Sequence, residues 1–163
     1  MESNTGDALF ELSAVGAGGL ALECSDEHYG SIHNLLKPGR GRDMSDGWET
    51  RRRREPGYDW VILKLGCPGV VETIEIDTAF FKGNFPHRVS INAILLDKDC
   101  DKHLAPRSLY WEELLAPQTL EMDKQHFFTS ELRRIGPVSH ARVNIHPDGG
   151  LSRVRFFGSK RTP

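Results

Sequence analysis

Nine residues, Asp46-Gly47-Trp48-Glu49-Thr50-Arg51-Arg52-Arg53-Arg54, carry the densest chemistry in this 163-residue chain. Four adjacent guanidinium groups repel one another on a plain surface, so the run calls for carboxylates of the same protein or an anionic ligand. Arginine suits a ligand carboxylate because its planar fork gives two parallel hydrogen bonds. In an extended segment Arg51 and Arg53 face one way and Arg52 and Arg54 the other, so one pair is expected to point inward and the other to be solvated or ion-paired. Glu49, beside the arginines, fits a general base or an arginine-orienting role. Two further polar knots are Asp26-Glu27-His28 and His146 ahead of Pro147-Asp148. Carboxylates and imidazoles can activate water and protonate a leaving nitrogen, so Glu27, His28, Glu49 and His146 are the candidate acid–base residues. Arg51, Arg52, Arg53, Lys82 and Asn84 are the candidate ligand-binding polar groups, and Trp48 within the motif joins them as a pocket wall or core residue. Lys82-Gly83-Asn84 reads equally as a tight turn, since Gly and Asn tolerate positive φ. Asp26, Glu27, His28 and His146 are metal-ligand types, yet neither a His-x-x-x-His nor a paired-Cys spacing is present, so no cofactor and no dedicated structural metal is expected, and a divalent metal stays open.

These residues need loops held by strands. Asp59 to Leu65 alternates, with Val61, Leu63 and Leu65 on one face and Trp60, Ile62 and Lys64 on the other. Gly66-Cys67-Pro68-Gly69 reads as a turn, and Val70 to Asp77 alternates again, with Glu72, Ile74 and Ile76 opposite Val71, Thr73 and Glu75. Further strands are expected at Leu9–Ala14, Leu20–Cys24, Val89–Leu95, Gln125–Ser130, Val138–His146 and Ser152–Phe157. One helical turn is expected at Ser31–Lys37 and a charged turn at Asp97–Lys102. Leu109–Leu115 is ambiguous between strand and short helix and is closed by Pro117, and Pro147-Asp148-Gly149-Gly150 reads as a hairpin turn. Seven or eight short strands between Gly/Pro turns argue for an all-β fold, an antiparallel β-sandwich with jelly-roll topology, whose loops at one end hold the polar clusters. Residues 1–8 read as a disordered leader, 9–158 as one domain and 159–163 as a tail.

The composition bounds the function classes. Lys and Arg number 21 against 23 Asp and Glu, a formal net charge of -2, which gives no general basis for binding nucleic acid or a membrane. Hydrophobic residues at 38% and charged residues at 27% are ordinary for a globular chain of one domain. Cys24, Cys67 and Cys100 are odd in number and far apart, so a disulfide framework is not expected and a reducing, cytoplasmic setting fits. No apolar run reaches the length of about 18 residues that a membrane span needs.

Taken together, Ser25-Asp26-Glu27-His28, Asp46 to Arg53, Asp59-Trp60-Val61-Ile62 with Lys64-Leu65-Gly66, Ile76-Asp77-Thr78 with Phe81-Lys82-Gly83-Asn84, and Asn144 to Gly150 with Ser152-Arg153 resemble the allantoicase family. The resemblance covers residues 9–158, with five motifs in register. It implies a jelly roll of the galactose-binding-like type and hydrolysis of allantoate to ureidoglycolate and urea, with allantoate as the small-molecule substrate. Family members usually carry two such repeats in tandem, whereas this chain resembles one, the C-terminal. The resemblance therefore implies a homo-oligomer, since a twofold dimer would recreate the tandem arrangement. Two rival readings are a non-catalytic binding module on the same scaffold, and, more weakly, nucleic-acid binding through the arginine run.

Overall fold

A computed structural model describes residues 9–96 and 103–161. Among them are ten strands: β1 (Phe10–Glu11), β2 (Leu20–Cys24), β3 (Trp48–Glu49), β4 (Asp59–Asp77), β5 (Arg88–Ile94), β6 (Glu112–Thr119), β7 (Gln125–Phe128), β8 (Val138–His146), β9 (Gly150–Leu151) and β10 (Arg153–Lys160). One short helix, α1 (Leu104–Ser108), precedes β6. The expected leader at 1–8 and the charged turn at Asp97–Lys102, with Cys100, lie outside the described residues.

The sandwich is organised by β4. Its first half pairs with β2 on one side and β8 on the other, with β5 and β6 beyond β8. Its second half pairs with β10 and β7, with β1 beyond β10. Every one of these pairings is antiparallel. The two layers close over one core, to which β4 contributes Val61, Leu63, Leu65, Val71, Ile74 and Ile76. Facing them are Val89 and Ile91 of β5, Val143 and Ile145 of β8, and Val154 and Phe156 of β10. The other face of the first layer holds a smaller apolar cluster of Ile62, Leu104 and Trp111, so α1 covers the strand face that also carries Trp60.

Four expectations are corrected here. Gly66 to Gly69 does not reverse the chain: β4 runs through it for 19 residues, and the register shifts between Lys64 and Gly69 as the strand passes from one layer to the other. The glycines serve close backbone approach, for a Cβ on Gly66 would lie 2.5 Å from the Ala17 carbonyl and one on Gly69 2.3 Å from the Ser159 oxygen. A bulge opposite Phe157/Gly158 resets the alternation, so Val71 shares the core with Ile74 and Ile76. Pro147 to Gly150 is not a hairpin either, since β8 and β10 flank β4 on opposite sides and β9 pairs with β3. The ambiguous segment resolves as strand, and β6 continues past Pro117 to Thr119. The helical turn forms as a 3-10 helix over Ile32–Leu36, with Ser31 Oγ accepting from the His33 amide.

The connection from Lys37 to Asp46 is tied down by charge. Arg153, 2% exposed, reaches Asp46 Oδ2 at 3.0 Å, and Lys37 Nζ reaches Asp46 Oδ1 at 2.9 Å. Arg40 makes a bidentate pair with the fully buried Asp77, both contacts at 3.0 Å, and Arg155 donates to the Gly39 carbonyl. Burial pushes the Asp46 carboxyl up, but hydrogen bonds from Lys37 and Arg153 outweigh it and hold it down at about 2.

Candidate active site

The polar motifs converge on one end of the sandwich, where four connections meet: those after β2, between β3 and β4, between β4 and β5, and after β8. The short β3–β9 pair anchors the centre. Glu49 pairs with Gly150 on one side and bridges Tyr29 on the other, so its backbone is fixed from both flanks. Glu49 Oε2 accepts from Asn84 Nδ2 at 2.6 Å, and the Asn84 carbonyl accepts from the Gly150 amide at 2.8 Å. Gly150 is required at this point, because a Cβ would fall 2.1 Å from the Phe81 ring. The sequence candidates Glu49 and Asn84 are thus one hydrogen-bonded unit.

The arginine run is divided by the alternation of an extended chain. Arg51 donates through Nε to His28 Nδ1 at 3.1 Å, its backbone amide donates to Asp26 Oδ2 at 2.7 Å, and its Nη1 lies 3.6 Å from Asp26 Oδ1. A guanidinium only donates, so His28 Nδ1 accepts and the ring proton lies on Nε2. Arg53 pairs through Nη1 with Asp59 Oδ1 at 3.1 Å, and its backbone amide donates to Asp148 Oδ2 at 2.8 Å. Asp59 is 1% exposed and also accepts from Ser25 Oγ at 2.9 Å. Arg53 Nε and Asp59 Oδ2 are buried without a hydrogen-bond partner among the described residues, a cost that stable cores avoid. Arg52 and Arg54 are exposed and make no ion pair among the described residues. A cleft of about 400 Å³ opens over the run, lined by all four arginines with Ser25, Asp26, Glu55 and Asp59.

His146, half-buried at the end of β8, places Nε2 3.0 Å from Ser90 Oγ, and its ring centroid lies 4.9 Å from that of Tyr58. Burial lowers its pKa below the usual histidine value, and the Arg88 charge adds to the effect. Near the other wall, burial pushes the Cys24 thiol up to about 11, helped by the charges of Glu27 and Asp26.

Three candidates stand elsewhere. Trp48 is fully buried in the core and its indole N–H donates to the Asp26 carbonyl at 2.8 Å, so it props the wall and cannot contact a ligand. Glu27 Oε2 accepts from the Ile32 amide at 2.7 Å, capping the 3-10 helix. Lys82 lines a separate surface depression with Asp43, Met44 and Phe80. Conversely, Arg54, Asp59 and Asp148 belong to the cleft and its support. The sequence offers Asp148 first as a turn residue beside His146 and Asp59 as the start of a strand, both within the family-like motifs, and neither as a site candidate. No group of three or more His, Cys, Asp or Glu side chains placed to hold a metal ion occurs among the described residues.

The allantoicase repeat model matches residues 10–161. The chain belongs to the allantoicase family. It is 52% identical over 152 residues to a probable allantoicase of Burkholderia mallei, covering 93% of this chain and 45% of that relative. It is 50% identical over 161 residues to a probable allantoicase of Pseudomonas paraeruginosa, covering 99% and 48%. The chain therefore spans about half the length of the curated allantoicases it matches. The crystal structure of allantoicase from Saccharomyces cerevisiae superposes with a TM-score of 0.79 at 40% identity, covering 93% of this chain and 43% of that one. A fucolectin from striped bass superposes at 0.68 with 16% identity, a likeness of fold that fits the galactose-binding-like jelly roll expected from the sequence.

Proposed function

We propose that this allantoicase-family chain builds a site for hydrolysis of allantoate to ureidoglycolate and urea. The observation that carries the reading is the division of the arginine run. Arg51 and Arg53 are consumed by Asp26 and Asp59, which leaves the Arg52 and Arg54 guanidinium groups at the cleft for a substrate carboxylate. In the reaction, water adds its oxygen to the carbon that bears the ureido group, the carbon–nitrogen bond breaks, and a proton is delivered to the departing urea nitrogen. Glu49, oriented by Asn84, takes the water proton. The arginines hold the substrate carboxylate so that the attacked carbon stays in place, a positioning effect that spares the reaction an entropic cost.

The assay is urea release from allantoate by the purified chain, with Glu49→Gln as control. Activity in the parent that falls by about 10²–10⁴ in the variant supports the reading. A folded parent that releases no urea overturns it for the chain acting alone. Because the chain spans under half of its curated relatives, a second reading is a ligand-binding module that holds the carboxylate without turnover. Calorimetry showing allantoate binding without product selects that reading. We further propose that the chain self-associates, so that two copies supply the surface that a longer relative supplies within one chain.

A further inference from the structure

One face of β5 and β8 carries polar side chains to which the chemistry above gives no task. Along β8 stand Arg142, Asn144 and His146, and opposite them on β5 stand Asn92, Ser90 and Arg88. Arg142 is 4% exposed. Its Nε donates to Asn144 Oδ1 at 2.8 Å, Nη1 to Ser108 Oγ at 2.7 Å and Nη2 to the Tyr58 hydroxyl at 3.3 Å. Its guanidinium carbon lies 4.7 Å from the Trp60 ring centroid. A guanidinium has no acceptor, so the Asn144 atom that faces it is the amide oxygen. The other side of Asn144 is fixed independently. Asn92 Nδ2 donates to the Trp111 carbonyl at 3.1 Å, which leaves Asn92 Oδ1 to accept from Asn144 Nδ2 at 3.0 Å. The same Asn144 Nδ2 donates to Ser90 Oγ at 3.2 Å, and Ser90 Oγ lies 3.0 Å from His146 Nε2. Ser90 Oγ has no third hydrogen-bond partner among the described residues. Asn144 occupies one lone pair of the Ser90 oxygen, and His146 Nε2 is the one acceptor among its two partners, so the arrangement that satisfies the hydroxyl proton sends it to His146 Nε2.

We propose that Asn144 is a positioning residue: clamped by Arg142 and Asn92, it directs the Ser90 proton onto His146 Nε2 and holds neutral His146 as the Nδ1–H tautomer. His146 Nδ1 then offers a hydrogen-bond donor, suited to a carbonyl or carboxylate oxygen, and not a base. That role rests on the proposed hydrolytic site, whereas the tautomer does not. The depressed pKa of His146 agrees with it, since a proton on Nε2 would turn an acceptor into a donor and strand the serine proton.

The test is a two-bond proton–nitrogen correlation spectrum of the labelled full chain, recorded above the imidazole titration. The expected pattern has Nε2 at the shift of an unprotonated, hydrogen-bond-accepting nitrogen and Nδ1 at that of a protonated one. Asn144→Asp offers Ser90 only acceptors, draws the hydroxyl proton to itself and makes His146 Nε2 the donor, so the two nitrogen shifts exchange. Ser90→Ala removes the relay and gives shifts averaged between tautomers. A parent protein in the Nε2–H form overturns the proposal, as does either variant that keeps the parent pattern. If Asn144→Asp does not fold, the parent spectrum and Ser90→Ala, which loses one oxygen atom, decide alone. None of these readouts uses turnover, so a chain that releases no urea still decides the tautomer.

Discussion

Arg52 and Arg53 are neighbours in sequence and opposites in duty. Arg53 neutralises Asp59, which is 1% exposed, so Arg53→Met leaves a buried carboxylate without its cation and is expected to cost about 3–5 kcal/mol in urea unfolding. Arg52→Met touches no ion pair among the described residues and is expected to leave stability within about 0.5 kcal/mol. It should raise the KM for allantoate about tenfold or more, the loss of one charge-assisted contact. Equal destabilisation by the two variants would refute the division of labour. Cys24 gives an independent check of the wall beside them: with its thiol held up at about 11, it should react slowly with iodoacetamide at pH 8 in the folded protein and rapidly in denaturant. The run was legible in the sequence because four adjacent cations demand anions. Which of them keeps a free guanidinium was not, because the acids that consume the others, Asp26 and Asp59, arrive from the connection after β2 and from the start of β4.

The connection from Lys37 to Asp46 shows the same limit at the scale of an element. Its composition reads as loop, and nothing local marks Asp46 as the buried partner of Arg153, a residue from the other end of the chain. Asp46→Asn is expected to destabilise the fold by about 3–5 kcal/mol, since Arg153 at 2% exposure would be left buried and unpaired. The pH dependence follows in sign. A carboxyl held at about 2 in the folded state and near 3.8 in the unfolded state stabilises the fold above that higher value. This contribution is lost as the pH falls from about 4 towards 2, and Asp46→Asn should flatten that part of the acid-unfolding curve. Strand alternation, by contrast, was readable over 59–65, because a half-buried strand writes its two faces directly into the residue types. It failed at 66–69, where Gly-Cys-Pro-Gly has the chemistry of a turn and the structure uses the glycines for close packing of backbones.

At the scale of the molecule, an all-β sandwich could be read from strand spacing alone, while the layer assignment could not. Two segments that look like consecutive strands are one strand serving both sheets, and only the pairing of β10 and β8 on its opposite sides reveals it. Self-association is tested by native mass: a dimer mass with urea release, and loss of both on dilution, is the expected outcome, while an active monomer refutes the need for a second copy. The continuity of β4 also has a dynamic consequence. Because one backbone is hydrogen-bonded into both layers, neither can slide against the other or melt by itself without breaking that strand. Its central amides should exchange with deuterium only through global unfolding, at the slowest rate in the molecule, and the protection should be the same on either side of Gly66–Gly69. The residues proposed to receive a ligand thus sit on loops mounted on a frame that yields all at once.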